Sequence, residues 1–309
     1  MATDTARYKF VSTIHLGLSL IKKVDFPENN FSLYFLSYDG PAAISSGAHL
    51  TDREGVIELT HNYGTENDPD YRPSNGNVEP YKGFGHVCIS VDNIQAACKR
   101  IGDAGYGFQK RLEDGRMKYV AFALDPDGYW VEIVSQKKLE DTEGIETTDL
   151  GSYRMNHSMI RVKDIEKSLS FYKDIMGMSL ICKHEFPQAK FNLYFLGYPH
   201  NKTIPESSPE DVIPVAPLEG LLELTYNYGT ETDPSFSYHN GNIEPRGFGS
   251  ICVSVDDLDA ACARFDEMKV NWRKRLTDGE YKDIAFVLDP DGYSVEIVQN
   301  ETIKKRTGW

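Results

Sequence analysis

Basic residues are scarce in this chain. Lys and Arg total 33 against 47 Asp and Glu, for a formal net charge of −14 at pH 7. Phosphate backbones are held by concentrated positive charge, so the balance argues against a nucleic-acid binder. Long apolar runs are missing as well, and nothing approaches the roughly 20 residues of a membrane-spanning helix. The opening "MATDTARYKF" has no apolar stretch of the kind that directs secretion. Cysteine is sparse and odd in number: Cys88, Cys98, Cys182, Cys252 and Cys262. None stands in a CxxC or other metal-ligand spacing. The pattern reads as reduced thiols in a cytoplasmic protein, with Cys98 and Cys262 on apolar helix faces as core residues.

What is present is a soluble, globular composition, 40% hydrophobic over 309 residues. That length suits about two domains of roughly 150 residues, each able to bury a core. The chain is in fact written twice. "FPENNFSLYFLSYDG" at 26–40 returns as "FPQAKFNLYFLGYPH" at 186–200. "GVIELTHNYGTE" at 55–66 returns as "GLLELTYNYGTE" at 220–231. "LDPDGYWVEIV" at 124–134 returns as "LDPDGYSVEIV" at 288–298. A period of about 160 residues is too long for a solenoid unit and implies tandem domains. Residues 1–136 are read as the first domain and 153–300 as the second. The polar, acidic "KKLEDTEGIETTDLGS", 137–152, is an exposed linker, and the basic 301–309 is a solvated tail.

Each domain divides again. "HVCISVDNIQAACKRIGDAG" reads as an alternating strand followed by a helix, with Asp92 or Asn93 as the cap and Ile94, Ala97, Cys98 and Ile101 on one face. Two strands around a "DPDG" turn follow. "HSMIRVKDIEKSLSFYKDIMG" repeats strand then helix, capped by Asp164, with Ile165, Leu169, Tyr172 and Met176 facing inward. A module is thus a strand, a helix and about three strands, and four modules are expected. The first is truncated. The offset between halves is 145 at "FVS" and "MNH" but 160 at "HLGLSLIKK" and "IMGMSLICK", so 15 residues are absent. They correspond to the end of the first strand and nearly the whole helix.

Four residue pairs recur at fixed places in these modules: Ser12 and Glu58, His86 and Glu132, His157 and Glu223, Ser250 and Glu296. A lone Glu on a strand normally faces water, and a lone His at a strand start is normally structural. Here the Glu recurs inside four apolar strands, "VIELT", "WVEIV", "LLELT" and "SVEIV". Burying a carboxylate among Val, Ile and Leu is costly without a partner. Two modules facing each other would supply two imidazoles and two carboxylates. That set suits a borderline divalent metal such as zinc, nickel or cobalt, with positions left for water or substrate.

"GFGHVCISVD", "DPDGYWVEIV", "NHSMIRVKD", "FPQAKFNLYFLGY" and "LELTYNYGTE" resemble glyoxalase I, lactoylglutathione lyase, in its double-length fungal form. The resemblance spans about residues 8–300. It implies an α+β fold of paired βαβββ modules, the vicinal-oxygen-chelate fold, in two tandem domains with the first module truncated. It implies isomerisation of the glutathione–methylglyoxal hemithioacetal to S-lactoylglutathione, with one divalent metal, zinc first among the candidates. In that family a first-type module pairs with a second-type module of the other domain. Carried over, one complete site holds His86, Glu132, His157 and Glu223, with Glu132 and Glu223 as the catalytic carboxylates. The other site, Ser12, Glu58, Ser250 and Glu296, has lost both imidazoles and reads as a remnant.

The resemblance assigns glutathione binding to Arg161, Asn227, Lys82, Lys110 and Met117. In the remnant half Asn62, Arg246 and Lys274 survive, while Tyr281 replaces the Met. An internal pseudo-dimer of this kind is expected to suffice as a monomer. Two other readings remain on the same fold. A ring-cleaving dioxygenase would use two His and one carboxylate. A non-catalytic binding protein would account for the damaged module.

Overall fold

The computed structural model describes residues 16–115, 117–198, 214–279 and 281–300. The first module contributes β1 (Ser19–Phe26), β2 (Phe31–Ser37) and β3 (Ile57–Asn62). The second runs β4 (Phe84–Val91), α1 (Ile94–Asp103), β5 (Phe108–Lys110), β6 (Val120–Leu124) and β7 (Trp130–Ser135). The third runs β8 (Arg154–Val162), α2 (Ile165–Leu169), β9 (Ser179–Phe186), β10 (Phe191–Gly197) and β11 (Leu221–Asn227). The fourth runs β12 (Ile251–Val255), α3 (Leu258–Glu267), β13 (Asn271–Lys274), β14 (Ile284–Leu288) and β15 (Ser294–Gln299). Modules two to four therefore have the strand, helix and three strands that the repeat predicts. Among the described residues the first module has three strands and no α-helix. Ser12 and the tail 301–309 lie outside the described residues.

The strands make three sheets: β1-β2-β3, then β5-β6-β7-β4-β8-β11-β10-β9, then β12-β15-β14-β13. By contact the chain divides into two compact units. One holds the chain up to Arg72, His86–Ser158 and a stretch ending at Leu221. The other holds Pro73–Gly85, a stretch beginning at Met159, and the chain from Leu222. The division falls inside β4, β8 and β11.

In the first unit the pleat of β4 and β7 separates core from site. β4 and β7 are parallel, with Cys88 opposite Glu132 and Ile89 opposite Ile133. Ile89, Val91, Val131 and Ile133 pack with Ile94, Ala97 and Ile101 of α1 in one buried cluster. Each such side chain contributes roughly 1.5–3 kcal/mol when fully buried. The opposite face carries His86, Cys88, Trp130 and Glu132, because side chains alternate along a strand. Leu16, Leu18, Leu36 and Tyr38 of the first module join the same cluster, so the truncated module still has a buried face. The cap of α1 is Asn93, whose side chain accepts from Ala96 N–H at 3.1 Å. Cys98 and Cys262 are only half-buried.

Residues 137–152 are largely exposed, and their backbone is fastened. Asn93 Nδ2 donates to the Ile145 and Thr147 carbonyls at 2.8 and 3.0 Å, and Thr148 Oγ1 donates to Asp92 at 2.6 Å.

In the second unit, Asp164 caps α2 through Lys167 N–H. The helix then widens into a π turn, Ser170–Ile175, which buries Phe171 and Tyr172. Tyr172 donates to Asp289 Oδ2 at 2.9 Å, tying the helix to the "DPDG" turn before β15. β10 is central to its antiparallel group, with Phe195 opposite both Cys182 and Glu223.

Candidate metal centre

His86 and His157 are buried at 4% and 1% exposure. Their Nε2 atoms lie 3.3 Å apart. Glu132 Oε2 sits 3.3 Å from His86 Nε2 and 3.1 Å from His157 Nε2. Two imidazole nitrogens and a carboxylate oxygen therefore converge in a near-equilateral group. A cation at about 2.0–2.2 Å from each donor would hold neighbouring donors about 3.0–3.5 Å apart, and the observed spacing fits.

The orientation of His157 is set from behind. Asn156 Nδ2 donates to the Val215 and Leu218 carbonyls at 2.7 and 2.8 Å. That turns Asn156 Oδ1 toward His157 Nδ1, at 2.7 Å. His157 thus keeps a proton on Nδ1, and in its neutral form it presents the Nε2 lone pair to the centre, the arrangement a metal-binding imidazole needs. His86 is steadied by an edge-on contact with Phe122 at 5.3 Å. Burial alone would raise the Glu132 carboxyl. With the imidazoles protonated on Nε2, the His86 charge and the hydrogen bonds from both rings outweigh burial and hold Glu132 well below the usual carboxylate range.

Glu223 is 3% exposed and accepts from Thr225 Oγ1 at 2.9 Å. Its neighbours on β11, Leu222 and Leu224, are apolar and buried. One ligand atom from each of His86, Glu132, His157 and Glu223 lies within 4.8 Å of the others, a group that could hold a metal ion. Two nitrogens with two carboxylates match borderline divalent cations in ligand type.

The residues assigned to glutathione are engaged as follows. Arg161 Nη1 donates to the Gly76, Gly83 and Phe84 carbonyls at 3.0, 3.3 and 3.1 Å, and Nη2 donates to Asn77 Oδ1 at 2.9 Å. Burial lowers its pKa from the ordinary guanidinium value. Asn227 Nδ2 donates to the Tyr238 hydroxyl at 2.9 Å. Lys82 pairs with Glu79 at 2.8 Å. Lys110 Nζ donates to the Met117 and Val120 carbonyls at 2.8 and 2.5 Å, so it also staples the loop that carries the exposed Met117. Lys274 Nζ repeats that staple to the Tyr281 and Ile284 carbonyls. Arg161, Asn227 and Lys82 belong to one compact unit, and Lys110 and Met117 to the other.

In the other half, Ser250 Oγ donates to Glu296 Oε2 at 3.4 Å, and Glu58 is exposed. Ser12 lies outside the described residues. Asn156 was not singled out from the sequence. Its signal, an Asn directly before a strand His, is too slight to notice without the carbonyls it binds.

The sequence model of the Glyoxalase/Bleomycin resistance protein/Dioxygenase superfamily matches residues 13–133 and 154–297. Its repeated match fits the modular fold and the His/Glu group. Across 294 residues the chain is 46% identical to the lactoylglutathione lyase of Schizosaccharomyces pombe, covering 95% of this chain and 91% of that protein. It is 45% identical to glyoxalase I of Saccharomyces cerevisiae over 308 residues, covering 97% and 90%. A glyoxalase I variant from Zea mays superposes with a TM-score of 0.67 at 26% identity, covering 98% of this chain and 90% of that one. The chain belongs to the glyoxalase I, or lactoylglutathione lyase, family of that superfamily.

Proposed function

We propose that this chain detoxifies methylglyoxal by isomerising its glutathione hemithioacetal to S-lactoylglutathione, at one working site made of His86, Glu132, His157 and Glu223. The observation that carries the reading is the convergence of His86 Nε2, His157 Nε2 and Glu132 Oε2 at 3.1–3.3 Å. The double-length relatives named for this activity support it. They also tell against a non-catalytic binding protein.

A bound divalent cation, zinc first among the candidates, supplies Lewis-acid polarisation of the substrate's two vicinal oxygens. The chain's own residues do the rest. His157, held by Asn156, and His86 keep their lone pairs on the centre. Glu132 accepts the C1 proton of the hemithioacetal and returns it to C2, with Glu223 serving the opposite face. C1 becomes the thioester carbonyl and C2 the secondary alcohol, so no external oxidant or reductant is consumed. Arg161, Asn227, Lys82, Lys110 and Met117 would hold the glutathione portion, a local basic pocket on an acidic protein.

Ser12, Glu58, Ser250 and Glu296 are the remnant of a second site. One chain supplies all four ligands, which supports a monomer of 34.9 kDa; light scattering on the eluted peak would show a larger mass if that is wrong. Five free cysteines suit a reducing, cytoplasmic setting. The deciding experiment is the rise in thioester absorbance on mixing the protein, glutathione and methylglyoxal, with and without chelator. A chelator-sensitive rise is expected. No rise from folded, metal-loaded protein would overturn the reading.

A further inference from the structure

We propose that the loop pair Tyr238–His239 is a further substrate-positioning element of the working site. His239 Nε2–H donates to a carboxylate of the anionic glutathione hemithioacetal, and Tyr81 covers that donor until substrate arrives. The inference rests on the glyoxalase I reading and adds residues to it.

Two loops of the same compact unit, 73–85 and 238–249, build one frame twice. They meet through isolated parallel bridges, Ser74 with Gly247 and Gly83 with His239. Ser74 N–H donates to the Arg246 carbonyl and His239 N–H to the Lys82 carbonyl, each at 2.8 Å. Asn77 Nδ2 reaches Gly85 O at 2.6 Å, and Asn242 Nδ2 reaches Gly249 O at 2.7 Å. Gly76 and Gly241 both have positive φ, and a Cβ on either would strike the carbonyl of Phe84 or Phe248. The backbone frame is thus repeated, while three side chains are not. Where the remnant half has Pro73 and Ser74, the working half has Tyr238 and His239. Where the remnant half reads "EPRG", the working half reads "EPYKG", and Tyr81 has no counterpart.

The substitution repeats a pattern already seen at the metal ligands. His157 corresponds to Ser12 and His86 to Ser250; His239 corresponds to Ser74. At all three positions the half with the complete ligand set carries imidazole and the remnant half carries serine. A histidine kept only for the loop frame would have no reason to follow the ligands, since Ser74 makes the same backbone bridge.

The ring itself is poised as a donor. His239 Nδ1 accepts from Gly241 N–H at 3.2 Å, so the ring proton sits on Nε2. Among the described residues, His239 Nε2 is the one buried side-chain polar atom without a hydrogen-bond partner. Leaving such a donor unmade is unfavourable. The Tyr81 ring stands edge-to-face against the imidazole, 5.4 Å away at 73°. Tyr81 is 41% exposed, and an outward swing of its ring would open the side of the imidazole it lies against.

Two cations stand on the same frame. The Arg161 guanidinium donates to the Gly83 carbonyl, the His239 backbone N–H donates to the neighbouring Lys82 carbonyl, and the Lys82 ammonium pairs with Glu79 at 2.8 Å. Tyr238 completes the element by accepting from Asn227 Nδ2 at 2.9 Å, which fixes the way that amide faces. The remnant Asn62 has Pro73 in place of that tyrosine.

The test uses metal-loaded full-length protein and S-methylglutathione, a thioether that binds without reacting. Titration calorimetry gives Kd, steady-state assays split KM from kcat, and nitrogen-15 histidine spectra follow the His239 Nε2–H signal. His239→Phe is expected to raise both Kd and KM about ten- to a hundredfold with kcat within twofold, as loss of a hydrogen bond to a charged group predicts. His239→Gln, which keeps a donor, recovers part of the loss. Tyr81→Ala leaves Kd unchanged or tighter. In the wild type the Nε2–H signal shifts on saturation, a change that a merely structural histidine would not show. Unchanged affinity in His239→Phe, or an unmoved wild-type signal at saturation, overturns the inference while leaving the enzyme reading intact. Should the Phe variant fail to fold, the wild-type spectrum still decides. A wild type that does not bind S-methylglutathione would overturn both.

Discussion

β3 and β11 carry nearly the same words and fold into the same register, yet end in different environments. Phe35 lies opposite Glu58 in one hairpin, and Phe195 lies opposite Glu223 in the other. Glu58 is exposed and Glu223 is buried. The parallel pairs agree in the same way: Cys88 lies opposite Glu132 and Cys252 opposite Glu296. β4 is buried along nearly its whole length, while Cys252 on β12 is exposed. Local sequence therefore sets the hairpin and points the glutamate to one face. Burial depends on what else packs there. The buried Glu223 needs a partner such as the imidazoles or a metal; Glu58 keeps contact with solvent, although desolvation by its surroundings already pushes its carboxyl up to about 7.

The largest effect that could break this contrast is catalytic. Glu132→Gln is expected to lower kcat by about 10²–10⁴, the usual worth of a positioned base, while Glu296→Gln stays within twofold of wild type. Thioester absorbance measures both. Equal losses would mean that the second half still works.

Metal content sharpens the comparison next. Elemental analysis of gel-filtered, zinc-treated protein should give one equivalent per chain, and His157→Ser should abolish it. Two tightly held equivalents in the wild type would restore the remnant to a functional site. A smaller change is expected behind the ligand. Asn156→Ala removes the acceptor that holds His157 Nδ1–H and should weaken metal affinity about 10–100-fold in a chelator competition. Unaltered affinity would show that the strand alone orients the imidazole.

The smallest effect concerns the scaffold that both halves share. Burial, with the Asp291 charge, raises Asp289 from 3.8 to about 7. The folded state therefore holds this proton more tightly than the unfolded chain does. Its contribution to stability is complete below about pH 3.8 and is lost as pH rises through about 7. Urea unfolding of the wild type should accordingly lose about 1–3 kcal/mol from this group between pH 5 and 8. Asp289→Asn, which keeps the acceptor oxygen for the turn, should flatten that slope. A variant with the same slope would assign the pH dependence elsewhere.

Much of the architecture was legible because it was repeated. The helix caps Asn93 and Asp164 follow from residue type and position, since a short polar side chain before an apolar period can meet an open N–H. The His/Glu group was legible because four apolar strands each held a carboxylate that would be costly to bury alone. Its supporting residues were not. Asn156 has meaning only beside the Val215 and Leu218 carbonyls, about 60 residues away. His239 was passed over because neither helical nor strand spacing marks a loop histidine. Lys110 reads as a free surface cation, and only the folded loop shows its ammonium spanning the Met117 and Val120 carbonyls.

By itself, then, the sequence determined the module order, the recurrence of a glutamate in four apolar strands and the 15-residue difference in offset between the halves, because periodicity and repetition are properties of the chain. Only tertiary structure decided which glutamate is buried, how His157 is turned and which donor goes unmet. Those depend on groups far apart in sequence whose hydrogen bonds and desolvation exist only once the strands are packed.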